Sequence, residues 1–237
     1  MTQAAKSPVA SKPLQDSVIA VSGAGRGFGH SIAKAIGLAG ATVVVIDANP
    51  ESAAQTAAEL ERLNIEAIPV KGNTSVQLEV KKIFDKTLEI YGNISGLVHI
   101  ADAVSNTQFK KLTEAEFSEV LELQVRSSYL MLQALMRRAP NAWATLVLPP
   151  LDHDEPQTRG LRAYLSGLIG GLSEQGMRAN ALVPSRIAGG VEFDSRLGES
   201  ALSLALTASR GITGQTINVT LSPLPERKKL IPREFLE

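Results

Sequence analysis

The chain has 237 residues, 44% of them hydrophobic and 20% charged, which suits one sizeable core and leaves too little length for two independent domains. Lys plus Arg equals Asp plus Glu at 24 each, so no bulk field draws nucleic acid or an anionic membrane. Cysteine is absent, which excludes disulfides, thiolate catalysis and cysteine-ligated metals.

Residues 1–13 are polar and rich in Ala, Ser, Lys and Pro, without the apolar run of a secretory signal, and read as a flexible arm. No stretch has the apolar length of a membrane span, and a cytoplasmic location is expected. An apolar run over 17–21 leads into Ser22-Gly23-Ala24-Gly25-Arg26-Gly27-Phe28-Gly29, and an Ala/Ile/Leu-rich helix is predicted over 28–39. A glycine-rich turn between strand and helix is the context in which such a pattern binds phosphate. Gly23 permits the tight turn, Gly27 removes a side chain where backbone must approach a pyrophosphate, and Gly29 lets helix and sheet pack closely. The helix N-terminus then presents N–H groups and a partial positive charge to the phosphates.

The second strand is predicted over 42–47 and ends at Asp47 after Val43-Val44-Val45-Ile46. A carboxylate there suits ribose hydroxyls and repels a 2′-phosphate, so NAD(H) is favoured over NADP(H). Helices follow over 50–64, 75–91, 114–138, 156–174 and 198–208, and strands over 66–71, 95–100, 143–148, 178–183 and 215–221. Asn49 and Thr113 stand as N-terminal caps. Asn73, with Thr74 beside it at the end of the third strand, either accepts a hydrogen bond from an adenine amino group or is an ordinary turn residue. Alternating strands and helices predict an α/β, Rossmann-type, doubly wound parallel sheet of about seven strands in a single domain over 14–221. A proline-rich, charged tail over 222–237 leaves the sheet for a surface or a partner subunit. His30, His99 and His153 are too scattered for a metal site, and no G-x-S-x-G elbow supports a serine triad. Trp143 and Phe117 read as core or interface aromatics.

The glycine turn, Asp47, Gly176-Met177-Arg178-Ala179-Asn180-Ala181-Leu182-Val183-Pro184 and Ile212-Thr213-Gly214-Gln215-Thr216-Ile217-Asn218-Val219 together resemble the short-chain dehydrogenase/reductase family over residues 14–221. The resemblance implies a nicotinamide cofactor held by Ser22, Gly23, Gly25, Arg26, Gly27, Phe28, Gly29, Asp47, Asn73, Thr74, Ala101 and Pro184. It also implies a dimer or tetramer built on the helices 114–138 and 156–174, and an Asn-Ser-Tyr-Lys catalytic set.

That set is where the chain departs from the family. The family's Asn-Asn-Ala-Gly stands here as His99-Ile100-Ala101-Asp102, and the helix asparagine falls on Gln124. The serine falls on Leu148-Pro149-Pro150-Leu151, which has no hydroxyl. Tyr164 has Leu168, not lysine, four residues on. Counting back without gaps from Arg178 and Asn180 puts the tyrosine and lysine positions on Asp154 and Thr158, and makes Tyr164 a helix-packing or interface residue. The link after the fifth strand and the stretch from Pro184 to Thr213 are both short for the family, which trims the chain beside the substrate pocket. Hydride transfer needs positioned groups and exclusion of water. The first reading is therefore an NAD(H)-binding subunit without reductase catalysis, in a homo- or hetero-oligomer, or one whose site has closed to nucleotide. The second is an active oxidoreductase using Asp154, His153 or Tyr164 as acid/base, and the third is an NAD(H) redox sensor.

Overall fold

The computed structural model describes residues 12–185, 192–206 and 209–220. The tail over 222–237 and most of the arm over 1–13 lie outside the described residues. Seven strands form one sheet in the order β3-β2-β1-β4-β5-β6-β7. They are β1 (Val18–Ser22), β2 (Thr42–Asp47), β3 (Ala67–Lys71), β4 (Gly96–Ile100), β5 (Trp143–Val147), β6 (Ala179–Ser185) and β7 (Thr216–Thr220). Every pairing is parallel. The helices are α1 (Gly27–Leu38), α2 (Pro50–Arg62), α3 (Gln77–Tyr91), α4 (Glu114–Leu121), α5 (Ser127–Arg138), α6 (Pro156–Glu174) and α7 (Glu192–Ala205).

Residues of successive strands alternate between two apolar layers, because side chains along a strand point to opposite faces. Ile19, Val21, Val43 and Val45 join Ile32, Ile36, Leu60 and Leu197 of α1, α2 and α7 on one face. Ala20, Val44, Leu97 and Leu146 join Phe84, Leu135 and Leu165 of α3, α5 and α6 on the other. Each fully buried Leu, Ile or Phe contributes on the order of 1.5–3 kcal/mol. With both faces covered, the central strands are buried along nearly their whole length and mostly apolar, and this pattern marks a parallel sheet.

The caps read from sequence are formed. Asn49 accepts from the N–H groups of Glu51 and Ser52, and Thr113 and Glu116 make a reciprocal capping box. Two elements differ from expectation. The helix expected over 114–138 has a π-helical turn, Glu122–Arg126, between α4 and α5. The last helix, expected over 198–208, spans Glu192–Ala205 instead. A Cβ on Gly198 would lie 3.0 Å from the Ala35 Cβ and 3.1 Å from the Ser31 carbonyl, so the glycine is what lets α7 lie against α1.

Candidate functional site

Strand order turns away in opposite directions at β1 and β4, which leaves a crevice beyond their C-terminal ends. A cleft of about 560 Å3 opens there. Ser22, Gly23, Arg26, Gly27, Phe28, Gly29, Asp47, Asn73 and Thr74 line it, while Gly25, Ala101 and Pro184 do not. Ile100, Asp102, Ala103 and Leu123 wall the end beside β4.

The turn before α1 has the form a bound anion requires. Gly27 has φ +54°, and a Cβ on it would meet nothing within 4 Å, so the space above it is open. Gly29 is the opposite case, since a Cβ there would lie 2.1 Å from the Gly23 carbonyl oxygen. No side chain caps α1 and its first turn carries no acid, so the positive end of the helix faces the cleft without a competing carboxylate. These residues fit the diphosphate of a dinucleotide.

Asp47 lines the cleft and is also engaged within the protein. Its two carboxylate oxygens accept from the Gly25 N–H and the Asn49 N–H, both at 2.9 Å, so it pins the glycine turn to the start of α2. A Cβ on Gly25 would lie 2.7 Å from the same carboxylate, which explains the glycine there. The Asn73 side-chain oxygen already accepts from the Ser75 N–H at 2.9 Å, and its own N–H donates to Glu79 at 2.6 Å. Asn73 thus makes a turn contact while also lining the cleft.

Behind the cleft wall lies a buried polar chain that no local sequence pattern assembles. Ser22 on β1, His99 on β4 and Ser127 at the start of α5 are all fully buried. Nδ1 of His99 is 2.6 Å from the Ser22 hydroxyl, and Nε2 is 2.9 Å from the Ser127 hydroxyl. Burial pushes the imidazole down to about 4, so the ring is neutral at physiological pH. Gln124, inside the π-helical turn, is also fully buried; its amide nitrogen donates to the Ala103 carbonyl and its side-chain oxygen has no partner. Gln157 repeats the arrangement, donating to the Thr107 carbonyl at 3.0 Å with its own oxygen unpartnered. The two amides thus hold the β4–α4 loop from below. Gln157 carried no sequence signal beyond a polar residue at the start of a helix.

The other acid/base candidates stand apart from the cleft lining. Asp154 precedes α6 and faces Arg162 at 3.4 Å and Arg159 at 3.7 Å. Arg162, whose side chain is only 11% exposed, also donates to the carbonyls of Pro150 at 2.6 Å and His153 at 2.8 Å, so it clasps the whole β5–α6 loop. Burial pulls its guanidinium below the usual arginine range and Asp154 opposes that shift. Thr158 is buried beneath this loop. Tyr164 is 53% exposed on α6 and, with Tyr129 of α5 at 49%, edges a separate surface groove of about 280 Å3.

A family model described as short chain dehydrogenase matches residues 17–145, and the chain belongs to that family. The match ends inside β5, before the loop held by Arg162. Relatives include a short-chain dehydrogenase/reductase of Pestalotiopsis microspora, 30% identical over 119 residues, which are 50% of this chain and 45% of that protein. Tetrahydroxynaphthalene reductase of Pyricularia oryzae is 30% identical over 122 residues, 51% of this chain and 43% of that protein. Elsinochrome reductase 1 of Elsinoe fawcettii is 34% identical over 119 residues, 50% and 45% of the two chains. The chain thus spans about half the length of the curated relatives it matches. A crystal structure of hydroxysteroid dehydrogenase from Escherichia coli superposes with a TM-score of 0.81 at 21% identity, covering 88% of this chain and 97% of that one. A short-chain dehydrogenase/reductase from Serratia marcescens gives 0.79 at 19%, covering 88% and 98%. These likenesses show the shared fold. Among the described residues, no helix is long and apolar enough to cross a membrane.

Proposed function

We propose that the chain is an NAD(H)-binding protein of the short-chain dehydrogenase/reductase type that has lost hydride-transfer chemistry and serves as a structural or regulatory subunit of an oligomer. The observation that carries this reading is the contrast between the two ends of one cleft. At the phosphate end, the open space over Gly27, the uncapped α1 and Asp47 are intact. At the β4 end, the Gln124 amide nitrogen is committed to the Ala103 carbonyl, and Asp154, away from the cleft lining, faces Arg162. General acid/base catalysis needs a group within hydrogen-bond reach of the reacting atom. A bound nicotinamide would supply a hydride donor or acceptor, and this chain's residues would orient it by the helix amides and Asp47. Selectivity for NAD(H) is supported by the Asp47 carboxylate, which repels an added phosphate.

The oligomer is formed through α4–α5 and α6 with a second reductase-like chain, either a copy or an active homologue. Support comes from the exposed Tyr129 and Tyr164, which with Val125 edge one groove, since aromatic residues are enriched at interfaces. Calorimetric titration with NADH and NADPH tests the reading, combined with a carbonyl turnover screen and sedimentation. NADH-selective binding, no turnover and a dimer or tetramer are expected. The reductase names of the relatives favour the alternative of an active oxidoreductase, and turnover abolished by altering Asp154, His153 or Tyr164 would establish it.

A further inference from the structure

The hydrogens of the buried chain can be placed without reference to any ligand. Ser127 Oγ lies 2.6 Å from the Leu123 carbonyl and 3.4 Å from the Gln124 carbonyl, and only its O–H can serve a carbonyl. Its single hydrogen is thereby committed, so towards His99 Nε2, 2.9 Å away, it accepts. Nε2 must carry the hydrogen. A neutral imidazole has one, so Nδ1 is bare and takes the Ser22 hydroxyl hydrogen at 2.6 Å. The Ile100 N–H, at 3.4 Å, approaches the same Ser22 oxygen as a further donor. The opposite tautomer would set two lone pairs against each other between His99 Nε2 and Ser127 unless Ser127 abandoned the Leu123 carbonyl.

We infer that His99 is a positioning residue of the cleft: a neutral imidazole with its hydrogen fixed on Nε2, which turns the Ser22 hydroxyl away from the ligand and ties β1 to the π-helical turn. Two consequences follow. Ser22 is fully buried and its hydroxyl hydrogen is committed to His99, so it gives the cleft no donor and anionic phosphate is left to the backbone amides of α1. In addition, Ser127 back-bonds to Leu123, which lines the cleft, and it stands one residue after the turn that buries Gln124. His99 therefore sets the glycine turn and the opposite wall of the cleft together.

The cleft half of this inference rests on the nucleotide reading, whereas the hydrogen placement does not. The full chain, labelled with 15N-histidine and free of nucleotide, is examined by long-range 1H–15N correlation, with His99→Asn assigning the signal. A neutral Nε2–H pattern is expected, and an Nδ1–H pattern overturns the inference. Ser127→Ala removes the acceptor that fixes the ring, so its spectrum should move towards a mixture of tautomers, and an unchanged spectrum refutes the role of Ser127. NADH affinity should fall roughly 3- to 10-fold in Ser127→Ala and in Ser22→Ala, the loss of one buried hydrogen bond, with Ser22→Thr restoring it. Unchanged affinity in both would leave His99 a structural residue only and refute positioning. Failure of the unaltered chain to bind NADH sinks the nucleotide reading and with it the cleft half, while the spectrum still decides the tautomer.

Discussion

Acidification should test the burial of His99 quantitatively. Burial alone lowers its pKa from an ordinary 6.5 to about 4, and its two partners are hydroxyls that do not compensate a charge. The folded pKa lies below the unfolded one, so the unfolded chain takes up the proton first as pH falls. Stability from the neutral ring is complete above about pH 6.5 and is lost progressively down to about 4. At 1.36 kcal/mol per pH unit the full loss is about 3.4 kcal/mol; relative to pH 7 it is about 0.7 kcal/mol at pH 6 and about 1.8 kcal/mol at pH 5. Urea denaturation of the unaltered chain and of His99→Asn at pH 7, 6 and 5 gives the difference directly. Groups common to both cancel, including Glu59, whose carboxyl is held low chiefly by its hydrogen bond from His30. A stability difference that stays flat across this range would show that His99 is solvated or charged in the fold, and would refute the reasoning.

Three further outcomes follow from the same geometry. Gly29→Ala drives a methyl into the Gly23 carbonyl and should cost about 3 kcal/mol, roughly 6–12 °C of Tm, whereas Gly27→Ala meets open space and should cost only about 1 kcal/mol of left-handed backbone strain while abolishing NADH binding; thermal melts and titration of the pair separate folding from ligand space. Asp47→Ala should destabilise the nucleotide-free chain by about 1–2 kcal/mol, because the Gly25 and Asn49 amides lose their acceptor, and should shift the NADH-to-NADPH affinity ratio by about tenfold towards NADPH; unchanged apo stability would refute the pinning role. Arg162→Ala removes donors from the Pro150 and His153 carbonyls and should cost about 2 kcal/mol, with faster hydrogen exchange across residues 148–155, and slow exchange retained there would refute the clasp.

Much of the fold is legible because local rules agree with tertiary ones. The strand over 42–47 and the helix over 156–174 coincide with β2 and α6, since an unbroken β-branched run and an evenly spaced leucine stripe each admit one structure. Asn49 and Thr113 announce their helices by hydrogen bonds made within three residues. The start of α7 is not legible in this way. Ala35 and Ser31 of another helix stand against Gly198, so its meaning lies entirely in packing. The π-helical turn is hidden for the same reason: Glu122-Leu-Gln-Val-Arg continues a helical pattern, and only the buried amide of Gln124 on the Ala103 carbonyl gives the extra residue a place to go.

The site divides along the same line. A phosphate turn is written in neighbouring residues, so Ser22 to Gly29 can be read from spacing alone, and Asp47 from its place at a strand end. The β4 end of the cleft is assembled from residues 77 and 28 positions apart, Ser22 to His99 to Ser127, and no local pattern links them. Alignment by motif finds His99 only as a mismatch. Its buried neutral ring, joined on both nitrogens, turns that mismatch into a connection. At this end His99 is held by Ser22 and Ser127 and the Gln124 amide nitrogen by the Ala103 carbonyl, while Asp154 stands apart from the cleft beside Arg162. The match to the family model stops within β5. Beyond that strand, Arg162 on the carbonyls of its own loop and Gln157 on the Thr107 carbonyl join residues whose pairing no local pattern announces.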